Sequence, residues 1–116
     1  MSMDASFEVG EIDLSSYGWY RDQHTTVEEN WWIRYGRFIE FQLIFTSGAA
    51  IASDQVMAQG LPKPAMAGTY TCLGTVAKVT VNHGTYTSDN FGTLRTVTTI
   101  PANTRTVLHG VYIAEA

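Results

Sequence analysis

Three short stretches of the chain bring aromatic rings and hydrogen-bonding side chains within a few residues of one another. The first is Trp19-Tyr20-Arg21-Asp22-Gln23-His24, the second is the adjacent pair Trp31-Trp32 with Arg34, and the third is His83 to Asn90, where Asp89 and Asn90 precede Phe91. A ring can lie flat on the apolar face of a sugar while Asp, Asn, His and Arg fix its hydroxyls, so this mixture is suited to recognising a saccharide. Ligand contacts are therefore expected at Trp19, Tyr20, Asp22, His24, Trp32, Arg34, His83, Asp89 and Asn90. Each stretch also has a plainer reading. Trp19 can fill the core with its polar neighbours in water, an outward Trp32 can seal a contact between subunits, and the third stretch can be a solvated hairpin tip.

The same residue types do not add up to catalysis. His24, His83 and His109 show no spacing that suggests convergent metal ligands or an oriented nucleophile. His109 falls among valines read as inward and is expected in the core or on an assembly axis. Glu28-Glu29 are neighbours, which point apart on a strand, whereas glycosidase carboxylates sit about 5 to 9 Å apart on different strands. With no nucleophile elbow, phosphate loop or metal box, the expectation is a binding protein that is not an enzyme and uses no cofactor or metal.

The totals set the scale of what must position these groups. A chain of 116 residues, 45% of them hydrophobic, fits one domain with one core. A net charge of -4 with seven scattered Lys and Arg speaks against a nucleic-acid partner, because counterion release needs clustered cations. The single Cys72 forms no internal disulfide and reads as a small buried hydrophobe. Met1 to Glu8 lacks the basic patch and apolar run of a secretion signal, and no later stretch approaches the roughly 20 apolar residues that span a bilayer. A soluble chain without membrane insertion is expected.

The periodicity is that of strands. Trp31, Ile33 and Tyr35 alternate with Trp32 and Arg34. Beyond Gly36, Ile39, Phe41, Leu43 and Phe45 alternate with Phe38, Glu40, Gln42, Ile44 and Thr46. This predicts a hairpin turning near Tyr35-Gly36-Arg37, with the odd-numbered row after the turn in the core. Thr75 to Asn82 is expected to turn at His83-Gly84 into Thr85 to Thr87. Leu94 to Ile100 and Thr104 to Ala114 are expected to form a third hairpin, with Val107, His109, Val111 and Ile113 sharing one face. Glu8 to Leu14 and Tyr17 to Gln23 read as short strands, and Gln55 to Ala58 as a brief one. Leu61-Pro62-Lys63-Pro64 cannot be a central strand, because two of its residues lack an N–H. The sum is an all-β fold, an antiparallel β-sandwich or barrel.

Three pieces, taken in order, resemble the carboxy-terminal head domains of tailed-phage tail-fibre and baseplate receptor-binding proteins. They are the hairpin Trp32-Ile33-Arg34-Tyr35-Gly36-Arg37-Phe38-Ile39-Glu40-Phe41, the crossover Gly60-Leu61-Pro62-Lys63-Pro64, and the ending Ile100-Pro101-Ala102-Asn103-Thr104 with His109-Gly110-Val111-Tyr112-Ile113. The resemblance implies a jelly-roll-like head, assembled as a homotrimer, that attaches a virion to cell-surface saccharide. It also implies other tail or virion proteins as partners, and a place in the phage tail, or in the host cytoplasm before assembly. It covers about Tyr17 to Ala116, so residues 1–16 read as an N-terminal segment leading into a single β head domain at 17–116. The family's ligand residues lie in variable loops and do not transfer to named positions. Two alternatives stand beside it: a structural virion or tail component that makes subunit contacts without ligand, and a small β-sandwich enzyme or enzyme-attached carbohydrate module.

Overall fold

The computed structural model describes residues 7–22, 24–66, 70–74, 77–84 and 90–115, with the side chains of Phe7 and of 70–74 left aside. Within these, the chain runs β1 (Phe7–Gly10), a single helical turn α1 (Gly18–Arg21), β2 (Thr26–Tyr35), β3 (Phe38–Thr46), β4 (Val56–Pro62), β5 (Tyr70–Gly74), β6 (Lys78–His83), β7 (Phe91–Thr96) and β8 (Thr106–Ile113).

The tryptophan hairpin forms as the alternation predicts. A two-residue loop, Gly36-Arg37, joins β2 to β3, and Tyr35 pairs with Phe38. Gly36 sits at φ +60°, in the first central position of a primed turn, where a Cβ would be strained. Beyond the turn Ile39, Phe41, Leu43 and Phe45 are each 0% exposed. The period-two row is thus the centre of the core.

All pairings are antiparallel, in the order β1-β2-β3-β8-β5-β6-β7-β4. The join between β8 and β5 rests on only Leu73 with His109 and Gly74 with Leu108. At that thin seam the ladder divides into two antiparallel sheets that pack face to face, β1-β2-β3-β8 and β5-β6-β7-β4. The ladder's two ends also meet, through one bridge between Asp13 after β1 and Gln59 of β4. The pairs β3 with β8, β4 with β7 and β5 with β6 are nested in sequence, as in a jelly roll. The expected all-β sandwich is what forms.

Several local expectations are corrected. Of the predicted strand Tyr17 to Gln23, the described residues 17–22 form no strand: the Tyr17 carbonyl accepts from the Tyr20 and Arg21 N–H groups at 3.1 Å each, making one helical turn. Leu94 to Ile100 and Thr104 to Ala114 do not form a hairpin. Instead β7 pairs with β6 and β4, and β8 pairs with β3 and β5, so residues 97–105 cross from one sheet to the other. Strand β5 was not foreseen, and β6 lies between it and β7. The predicted return strand Thr85 to Thr87 lies outside the described residues. Strand β4 runs on through Leu61 and Pro62, and it can do so because it ends the ladder.

The face of β8 is also the reverse of the expected one. Thr106, Leu108, Gly110 and Tyr112 point inward, while His109, Val111 and Ile113 are exposed. At the other end of the chain, Ile12 and Leu14, in the segment read as leading into the domain, are core residues at 2% and 4% exposure. Among the described residues no helix is long and apolar enough to cross a membrane.

Candidate functional site

The first of the three aromatic stretches divides its two rings between different jobs. Trp19 is 9% exposed and belongs to the core, so it is not a ligand contact. Its ring lies 4.9 Å from that of Phe45, and its indole N–H donates to the Met57 carbonyl at 2.8 Å. The Trp19 carbonyl accepts from Thr25 Oγ1 and from Ser47 Oγ, both at 3.1 Å. A turn tied down in this way presents the next residue, Tyr20, in a fixed pose. The half-buried Tyr20 ring meets Trp19 edge-on at 6.1 Å.

Tyr20 forms a wall shared by two shallow depressions. One, of about 500 Å³, is bounded by Glu11, Asp13, Ser15, Val27 and Asn30. The other, of about 390 Å³, is bounded by Arg21, Asp22, His24 and Thr25. Asp22 and His24 are exposed, and His24 adopts φ +45°, an uncommon backbone state for a residue with a Cβ. Rings and hydrogen-bonding groups are thus combined here as the sequence suggests, with Tyr20, Asp22 and His24 together.

The first depression is built by features that the alternation does not reveal. A β-bulge at Glu28 interrupts the β2–β3 register between Val27 and Glu29. The extra residue turns Val27, paired with Phe45, and Asn30, paired with Leu43, toward the same side, which unbroken alternation would forbid. Asn30 then acts as a short piece of strand: its Oδ1 accepts from the Ile12 N–H and its amide donates to the Ile12 carbonyl, both at 2.9 Å.

Next to it Asp13 closes the ladder. Its N–H donates to the Gln59 carbonyl at 2.7 Å, and the Gln59 N–H returns the bond at 3.0 Å. Its carboxylate accepts from the Gln59 amide at 2.9 Å and from the Ser15 hydroxyl and N–H at 2.7 and 2.9 Å. These bonds, the one from Gln59 first, hold its carboxyl below the usual carboxylate range. The Tyr17 hydroxyl donates to Gln59 Oε1 at 3.2 Å and is pushed up, mainly by burial. Glu11, Asp13 and Asn30 were missed as site residues, because they come together only where the bulge and the closing bridge meet.

The remaining expected contacts lie elsewhere. Trp32 faces inward, opposite Phe41, and its ring covers Gly10 so closely that a Cβ there would collide with it. Its indole N–H donates to the Glu11 carbonyl at 3.3 Å. The outward tryptophan is Trp31. Arg34 lies at the far end of the sheet, donating to the Gly36 carbonyl at 2.7 Å with Glu8 at 3.6 Å. His83 is tethered to the Pro64 carbonyl at 3.0 Å, and Asn90 is exposed. Asp89 lies outside the described residues. His109 does not lie in the core: it is exposed on the outer face of β8, with its Nε2 2.8 Å from Glu40 Oε2.

Among the described residues no group of three or more His, Cys, Asp or Glu converges as a metal site. Compared with known protein families, with curated proteins and with solved structures, the chain has no significant match.

Proposed function

We propose that this chain is a receptor-binding head domain of the phage tail or baseplate type, which binds host cell-surface saccharide as an oligomer and carries out no catalysis. The observation that carries the reading is Tyr20. A ring braced edge-on by a buried tryptophan, between two depressions rich in hydrogen-bonding groups, suits a ligand with alternating apolar faces and hydroxyls. Such a site is pre-formed, so little ordering cost falls on binding. The phage assignment and the trimeric count rest on the resemblance of the three ordered motifs.

The test is a glycan array followed by titration calorimetry with host cell-wall fragments. Tyr20→Ala should weaken binding by about tenfold or more while leaving the circular dichroism spectrum unchanged. Absence of binding by a correctly assembled oligomer would overturn the saccharide reading. A second reading, a structural virion component without ligand, is favoured by one separate observation: the outer face of the β1-β2-β3-β8 sheet exposes five large hydrophobic side chains, Val9, Tyr35, Phe38, Val111 and Ile113. Under that reading Tyr20→Ala has no effect on any attachment.

A further inference from the structure

The outward rows of β1, β2, β3 and β8 fall into register. Tyr35 pairs with Phe38 and Phe38 with Ile113. One rung along, Val9 pairs with Ile33, Ile33 with Glu40 and Glu40 with Val111. Directly paired residues project to the same side of a sheet, so these side chains form one continuous surface. Val9 at 61%, Tyr35 at 48%, Phe38 at 44%, Val111 at 50% and Ile113 at 39% are the exposed large hydrophobics of this sheet. The only others among the described residues are Met66 and Val97. Five of seven on one face is a patch, which scattered surface hydrophobics would not give.

We infer that this outer sheet face is covered by the same face of other copies of this chain. Three arguments select that occupant. The first is size. Exposures of this order on Val, Tyr, Phe and Ile leave roughly 450 Å² of surface on those five residues, within the range of functional patches. Four strands about 4.8 Å apart and roughly eight residues long span on the order of 500 Å² in projection before side-chain relief is counted. Two such faces together reach the roughly 1,000 Å² of total area at which specific protein interfaces begin.

The second is charge. The outward rows of these strands contain no Lys or Arg, and Arg105 just before β8 is held by Glu28 at 2.8 Å, so no cluster of cations there attracts an anionic lipid surface or a nucleic acid. The acids of this face carry partners with them: Glu40 has His109 at 2.8 Å, Glu28 has Arg105 at 2.8 Å, and Glu29 accepts from the Trp31 indole N–H at 3.2 Å. A face that holds its own acid and base side by side is self-complementary: an apposed copy can set His109 against Glu40 without stacking like charges. The third is composition, because Trp31, Tyr35 and Phe38 supply the aromatic anchors typical of an interface centre.

This inference deepens the oligomeric part of the proposed function by naming its surface, and it is independent of the saccharide part.

The experiment is sedimentation velocity with light scattering on the full chain over a concentration series. It compares wild type with Val111→Lys, Phe38→Lys and the off-face control Val97→Lys, each checked by circular dichroism. The expected result is a wild-type oligomer that both face variants dissociate, with self-association at least about tenfold weaker, and that the control leaves intact. An oligomer that survives both face variants would overturn the assigned surface while leaving the oligomeric reading standing. A wild-type chain that stays monomeric throughout would overturn both. So would a monomer that floats with zwitterionic phosphatidylcholine vesicles and loses this on Val111→Lys, since the face would then serve lipid.

Discussion

The two faces of the β1-β2-β3-β8 sheet are almost equally apolar, yet they live in opposite environments. Inward, Ile39, Phe41, Leu43 and Phe45 are sealed, whereas outward Phe38, Val111 and Ile113 stand in solvent. What separates them is the presence of a second sheet on one side. On β8 the exposed row of Val107, His109, Val111 and Ile113 looks more core-like than the buried row of Thr106, Leu108, Gly110 and Tyr112. The buried row is the one that makes specific contacts: Gly110 pairs with Phe41, and Tyr112 meets the Phe41 ring at 6.2 Å and donates its hydroxyl to the Pro62 carbonyl at 2.6 Å. Apolar composition alone therefore does not say which row of a strand fills the interior.

The strongest way to break this comparison is to truncate one phenylalanine on each face. Phe41→Ala should cost about 3–5 kcal/mol in a urea titration, through lost burial and a residual cavity. Phe38→Ala, measured where the chain is monomeric, should stay within about 0.5 kcal/mol. Similar losses at both positions would erase the distinction.

Next comes the closest packing on the inner side, where Trp32 lies over Gly10. Gly10→Ala should displace the ring at a cost of about 1–3 kcal/mol, read as a shift in tryptophan emission together with a lower melting temperature. Unchanged emission would mean that the ring is not held there.

At the rim of the inner side, Asn30→Ala removes both bonds to the Ile12 backbone. It should cost about 1–2 kcal/mol and speed hydrogen exchange at Ile12.

Acid should act on Asp13. Its carboxyl is held below its ordinary value in the folded chain, so its contribution is full above the unfolded carboxylate pKa and is lost as pH falls through the lower folded one. Asp13→Asn should lower stability at neutral pH and flatten the loss below about pH 4. A parallel offset across all pH values would rule this linkage out.

The smallest effect belongs to the outward pair Glu28–Arg105 at 2.8 Å. The hydrogen bond from Arg105 lowers the Glu28 carboxyl from its usual value, but both side chains lie in solvent. Arg105→Ala should leave the melting temperature unchanged.

How much of this was legible follows from what strand alternation encodes. The β2–β3 hairpin was readable because large apolar residues recur every second position on both sides of Gly36, and Gly36 marks the turn. The direction of β8 was not, because alternation separates two rows without saying which one meets the other sheet. The parity of Trp31 and Trp32 was clear as an opposition, and their sides follow from the unbroken register running back from the Gly36 turn, whereas the bulge at Glu28, which nothing in Val27-Glu28-Glu29 announces, re-aims Val27. Tyr17 to Gln23 has the aromatic content of a strand. Gly18 to Arg21 coils instead, with Trp19 reaching Phe45 and Met57, a demand set by distant residues. Tyr20, Asp22 and His24 were visible as a cluster of types. Glu11, Asp13 and Asn30 join them only once the chain has folded back on itself.

The bridge between Asp13 and Gln59 bears on how the molecule behaves when crowded. A sandwich ordinarily ends in two outer strands whose free N–H and C=O groups can template the addition of a neighbour, the route to fibrous aggregates. Here the segment after β1 and the last strand of the ladder use those groups on each other. A densely arrayed chain can thus offer its neighbours side chains while withholding backbone at that margin, which keeps ordered assembly apart from runaway stacking.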